Sequence, residues 1–139
     1  NVMNEYGVPS EGTALADLEL NHMYESYSLD KHIYYILTIE NKIVGGAGIA
    51  PLKNSDKNIC ELQKMYFLPI SRGKGLGSLM IKKCIDYASK SRFEYCYIET
   101  MHNMIKAQKL YTSYGFKFID SPLGNTGHSS CTVWMLKKL

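Results

Sequence analysis

The chain has 139 residues, 45% of them apolar, and 16 basic against 13 acidic residues give a net charge of +3. That size fits one domain with one core, and the composition excludes a disordered or fibrous chain. The small basic excess favours anionic ligands mildly and excludes the concentrated basic face of a nucleic-acid binder. Residues Asn1 to Ala16 are turn-rich, and Asp17 is placed to cap a helix over Leu18 to Tyr24. His32 to Ile39, dense in Ile and Tyr, predicts a strand. Glu40-Asn41-Lys42 turns the chain, and Ile43 to Ala50 returns antiparallel, with Gly45, Gly46 and Gly48 admitting a bulge or a close backbone approach. After the loop Pro51 to Asn58, Ile59 to Leu68 is the next strand.

The run Arg72-Gly73-Lys74-Gly75-Leu76-Gly77 then joins this strand to a helix. Glycines at alternate positions tolerate dihedrals that other residues resist. A helix N-terminus adds unpaired N–H groups and a partial positive charge, so the turn suits phosphate or pyrophosphate. Leu76, Met80, Cys84 and Ala88 recur every four residues beside Ile81 and Ile85, an apolar stripe at helical period. Lys82, Lys83 and Asp86 fall on its wetter side. Phe93 to Thr100 predicts a strand, Met104 to Tyr114 a helix stopped by Gly115, and Phe116 to Ile119 a short strand. Pro122 to Ser129 is a polar connection, and Cys131 to Leu136 is the final strand. The order gives a mixed α/β (α+β) sheet, with hairpins at both ends and one central strand–helix–strand unit that implies a parallel pair.

A dinucleotide-binding domain is the runner-up from the loop alone, but the expected acidic strand end is missing. No Gly-Lys-Ser or Gly-Lys-Thr supports a Walker loop. The cysteines Cys60, Cys84, Cys96 and Cys131 form no CxxC pair or zinc spacing, so no metal site is expected and free buried thiols fit a reducing, cytoplasmic compartment. No apolar run is long enough to cross a membrane, and no leader is expected from the first residues.

Two motifs in order, Leu62-Gln63-Lys64-Met65-Tyr66-Phe67-Leu68-Pro69 with Arg72 to Gly77, and Ala107, Leu110-Tyr111 and Gly115-Phe116, resemble those of GCN5-related N-acetyltransferases. The likeness spans about Tyr34 to Leu136. It implies a single-domain acyl-CoA N-acyltransferase fold, a mixed central sheet flanked by helices, with acetyl-CoA as co-substrate. Residues 1–139 would form one such domain, lacking the family's first strand and part of its first helix. By the same resemblance, Met65, Tyr66 and Phe67 would lend backbone groups to the pantetheine arm. Arg72, Gly73, Lys74, Gly75, Leu76, Gly77 and Ser78 would hold the pyrophosphate. A V-shaped opening would lie between Glu61–Leu68 and Tyr95–Thr100. The family often places Asn seven residues before the helix tyrosine. Here that position is Met104, about 100° around a helix from its neighbour Asn103; Asn103 is assigned to the cofactor from the turn before the helix.

The implied reaction is direct attack of a primary amine on the thioester. Tyr111 would by resemblance protonate the departing thiolate, and a backbone N–H near Met65 could hold the oxyanion. A carboxylate near the splay would take the amine's proton: Glu61 first, Glu99 second. Glu61 could equally be a strand-end charge paired with a lysine. Alternation would put Glu61, Gln63, Met65 and Phe67 on one face of the strand. His22, His32, His102 and His128 show no pairing with a nucleophile, and the Pro122–Ser130 connection could wall the acceptor pocket or merely be solvated. The acceptor, a small molecule or a peptide, is open. So is a non-catalytic acyl-CoA-binding regulatory module. Tyrosines between Tyr24 and Tyr35 fit a core or a homodimer surface.

Overall fold

The computed structural model describes residues 23–139. The cap at Asp17 and most of the helix expected after it lie outside these residues; α1, Met23–Ser26, is the part within them. Six strands follow: β1 Ile33–Ile39, β2 Lys42–Pro51, β3 Ile59–Phe67, β4 Tyr95–Thr100, β5 Lys117–Ile119 and β6 Val133–Lys138. Helix α2, Leu76–Lys90, joins β3 to β4, and α3, Ile105–Ser113, joins β4 to β5. The sheet order is β1-β2-β3-β4-β6-β5. Among the described strands, only β3 and β4 pair in parallel; every other neighbouring pair is antiparallel. The mixed sheet, the terminal antiparallel pairs and the central parallel pair are as expected.

The predicted helical stripe is the core contact. Met80, Ile81, Cys84 and Ala88 are buried while Lys82, Lys83 and Asp86 are exposed. They meet Ala47 and Ile49 of β2, Cys60 and Leu62 of β3, Cys96 and Ile98 of β4 and Met135 of β6. Each fully buried side chain of this size contributes roughly 1.5–3 kcal/mol relative to exposure. Gly46 and Gly48 on β2 leave room for one ring: a Cβ on either would stand 2.6 Å from Tyr34. Thus Tyr34 packs half-buried across the glycines, whereas Tyr24 of α1 is exposed.

Two expectations are corrected. The last strand begins at Val133, because Cys131 and Thr132 are spent closing a turn in which the Cys131 N–H donates to the His128 carbonyl at 3.0 Å. The alternation along β3 does not persist either. Gln63 pairs with Gly48 and Tyr66 with Gly46, so two residues of β3, Lys64 and Met65, span the place of one residue of β2, Ala47. Lys64 has φ +50°, and this extra residue is a bulge. It inverts the faces. Cys60 and Leu62 point to the helices before it, and Met65 and Phe67 pack on the same core after it. Glu61 and Met65 therefore lie on opposite faces. The Tyr34 hydroxyl donates to the Lys64 carbonyl at 2.7 Å and so secures the bulge.

A candidate active site in the sheet splay

The parallel pairing of β3 and β4 is short. It runs through Ile59↔Tyr95, Cys60↔Cys96 and Glu61↔Tyr97 and then stops. Beyond that point the strands part, which places the expected V-shaped opening in the middle of the sheet. Two cavities occupy it. The larger, about 560 Å³, runs from the glycine turn along Met65, Tyr66 and Phe67 to α3. The smaller, about 60 Å³, lies between Glu61, Glu99, Thr100, Tyr111 and His128. Tyr111 borders both.

Backbone geometry builds the first cavity. Gly73 and Gly75 have φ of +73° and +74°, in the left-handed region that suits glycine. A Cβ on either would meet nothing, so their requirement is conformational. Gly77 differs: its Cβ would stand 3.2 Å from Leu110 of α3, so its small size lets the two helices approach. Gly75 caps α2 without a side-chain hydrogen bond, leaving the first N–H groups of the helix for a ligand. The turn is fixed from behind. Arg72 Nε donates to the Phe67 carbonyl at 2.8 Å, and buried Ser71 Oγ donates to the Leu68 carbonyl at 2.8 Å. Met65, Tyr66, Phe67, Arg72, Gly73, Gly75, Leu76, Gly77 and Asn103 all line this cavity. Lys74 and Ser78 do not: Lys74 is exposed at the tip of the turn and Ser78 is half-buried on the helix.

Side chains build the second cavity. Glu61 is buried, and desolvation pushes its carboxyl up to about 7, opposed by a hydrogen bond from Gln63 and by the nearby His128 and Lys64, and reinforced by Glu99. Gln63 Nε2 donates to Glu61 Oε1 at 2.7 Å, and the Tyr27 hydroxyl donates to Gln63 Oε1 at 2.5 Å. Glu99 accepts from the Tyr97 hydroxyl at 2.9 Å and from the Thr126 hydroxyl. His128 Nδ1 lies 3.4 Å from Glu99 Oε1. A nitrogen of His128 and carboxylate oxygens of Glu61 and Glu99 all fall within 4.8 Å of one another. Tyr111 is buried on α3, and desolvation raises its hydroxyl well above the ordinary tyrosine range, so it stays protonated at neutral pH. Its ring packs edge-on to Phe116 at 6.0 Å, just past the helix stop at Gly115, which has φ +91°.

Glu61 and Tyr111, expected at one site, line the same small cavity, and His128, which the sequence paired with no nucleophile, lines it with them. The polar connection before β6 returns His128 to the β4 carboxylate, and no local spacing signals that contact. The three groups also offer metal-ligand atoms at close range, against the spacing argument for no metal. Both carboxylates already accept side-chain hydrogen bonds, however, which suits proton chemistry.

Comparison with known proteins agrees with this geometry. The model of the acetyltransferase (GNAT) family matches residues 3–116. The chain is 45% identical over 139 residues to YjgM of Escherichia coli K12, named an uncharacterized N-acetyltransferase, covering 99% of this chain and 83% of that one. Its fold superposes on a GNAT-family acetyltransferase of Staphylococcus aureus with TM-score 0.84 at 21% identity, covering 98% and 84% of the two chains. A GNAT-family acetyltransferase of Elizabethkingia anophelis, solved with acetyl-CoA bound, gives TM-score 0.64 at 20% identity over 89% and 84%. The cavity between the glycine turn and α3, about 560 Å³, is bordered by the glycine turn and the N-terminal end of α2. The chain belongs to the acetyltransferase (GNAT) family and is an acetyl-CoA-dependent acetyltransferase.

Proposed function

We propose that this chain, as one domain, transfers acetyl from acetyl-CoA to a primary amine by direct attack within a ternary complex. One observation carries the reading: Tyr111 stands where the long cavity from the phosphate-type turn meets the small cavity holding Glu61. Acetyl-CoA supplies an activated acyl group and a thiolate leaving group. The α2 N-terminus and the turn at Gly73 to Gly77 bind its phosphates, and Met65 to Phe67 align the arm through main-chain groups. Asn103 is assigned to the same cavity wall. Glu61 takes the acceptor's proton. A carboxyl near 7 is half ionised at neutral pH and is a far stronger base than an ordinary glutamate. Tyr111, held protonated by burial, donates to the departing sulfur and regains a proton from the nitrogen that has attacked, which leaves coenzyme A as the thiol and the product as the amide. The Lys64 bulge turns main chain toward the splay, where a Met65 N–H could hold negative charge on the thioester oxygen.

The free cysteines fit a reducing, cytoplasmic compartment, and none of the described helices is long and apolar enough to cross a membrane. The test is calorimetric titration with acetyl-CoA, with NADH as control, followed by thiol release in the presence of spermidine, phenethylamine, lysine and a short peptide. Saturable binding with acetylation of one amine supports the reading. Binding without transfer to any of them favours a regulatory acyl-CoA-binding module, and no binding by folded protein rejects both.

A further inference from the structure

A third cavity, about 180 Å³, lies on the outer side of the β5–β6 connection, between Pro122–Ser129, Cys131 and Trp134. Glu99, His128 and Cys131 line both this cavity and the small one that holds Glu61. They form the wall between the reacting centre and the loop side. Glu61 itself is buried, so a proton it accepts needs a path out before the next turnover.

We propose that His128, held by Glu99, relays the proton from Glu61 to the outer cavity. The proposal rests on Glu61 being the base of the reading above. Three observations support the path. The Glu61 carboxyl and His128 stand within 4.8 Å, a gap that one water spans. The inner cavity, about 60 Å³, has room for that water. Glu99 beside Nδ1 keeps that nitrogen as the donor and leaves Nε2 as the acceptor. The backbone that carries the ring is held: the His128 N–H donates to Thr126 Oγ1 at 3.1 Å, and its carbonyl accepts from the Cys131 N–H at 3.0 Å.

The proton balance is simple. The acceptor ammonium loses one proton to the Glu61 carboxylate. The resulting acid gives it to neutral His128, which becomes an imidazolium balanced by the Glu99 carboxylate. The imidazolium then releases it to water or a buffer base in the outer cavity, restoring all three groups. No electrons move. Other ionisable groups around the path are Lys64 and Tyr66 on β3, Tyr97 on β4, Tyr111 on α3 and Cys131 in the connection. Lys64 reaches the Tyr27 hydroxyl at 3.3 Å, and Tyr97 donates to Glu99. Tyr97 and Tyr111 have hydroxyls raised by burial, so neither takes the proton from Glu61 at neutral pH.

The test has two arms on the full chain. Histidine-labelled protein, titrated by nuclear magnetic resonance without acceptor, should show the His128 ring titrating in linkage with Glu61, so that its midpoint moves in Glu61→Gln. An unmoved midpoint overturns the relay. In the second arm, spermidine or another amine from the panel that turns over serves as acceptor. His128→Gln should lower kcat at least tenfold, flatten the pH profile near neutrality and leave acetyl-CoA affinity unchanged. His128→Ala should be restored by free imidazole in the buffer, which no packing role explains. Wild-type turnover in His128→Gln, or loss that imidazole does not restore, overturns the relay. Glu61→Gln separates the two ideas: if it keeps full turnover, the base assignment itself falls. If it loses turnover while His128→Gln does not, only the relay falls.

Discussion

The two sides of the splay are built differently. The side proposed for the co-substrate is mostly main chain: a glycine turn, a helix end and a strand edge, contiguous from Met65 to Gly77. The side proposed for the acceptor is side chains gathered from β3, β4, α3 and the connection before β6. A backbone site tolerates varied neighbours and depends on a few dihedrals. A side-chain site depends on single groups whose charge can be altered without moving the fold. Substitutions on the two sides should therefore fail in different ways: affinity first on one, rate first on the other.

The sharpest break is Glu61→Gln. It should lower kcat/KM by roughly 10²–10⁴ with acetyl-CoA affinity retained, measured by steady-state kinetics and calorimetry. The wild-type rate should rise with pH through about 7 as Glu61 ionises. The same change has an opposite effect on stability. The folded carboxyl titrates above its ordinary value, so the folded state holds the extra proton. Wild-type stability is full below the ordinary carboxyl range and is lost as pH rises through about 7. Glu61→Gln removes that loss. Its advantage should grow with pH across this window to on the order of 3 kcal/mol, read from urea unfolding at several pH values.

Tyr111→Phe comes next, with a kcat lower by roughly 10–10²-fold and retained co-substrate binding, because the ring contact with Phe116 survives. Equal turnover across pH would remove Tyr111 from the chemistry. On the other side, Gly75→Ala should weaken acetyl-CoA by about tenfold, since a left-handed alanine costs roughly 1–2 kcal/mol, while kcat falls little. A kcat loss larger than the affinity loss would blur the comparison. The smallest effect is Tyr34→Phe, which removes the hydroxyl from the bulge carbonyl and should cost about 1 kcal/mol of stability by thermal unfolding.

The same contrast explains what the sequence revealed. The glycine turn and the stripe of Met80, Cys84 and Ala88 are local patterns, so strand, turn and helix were legible with their roles. Gly115 stopped α3 where expected. The Lys64 bulge was not legible, because nothing in Gln63-Lys64-Met65 marks the residue that takes a positive φ, and the face assignment of Met65 failed with it. His128 was missed for a related reason: its partner Glu99 is distant in sequence and is met only once β6 inserts between β4 and β5. Lys74 looked like a phosphate ligand beside Arg72, yet it is exposed at the tip of the turn and does not line the cavity its glycine neighbours form.

The short parallel ladder has one more consequence. Three rungs join a half-sheet carrying the glycine turn to a half-sheet carrying Glu99, and from Glu61 the strand runs on for about 20 Å to Phe67. The arrangement is a lever with its fulcrum at Cys60 and Cys96, a fully buried pair of small side chains. A tilt of a few degrees there is magnified at the far end into a change of mouth width comparable to an atomic radius. A larger side chain at Cys60 or Cys96 should therefore alter the width of the opening from a position that lines neither cavity.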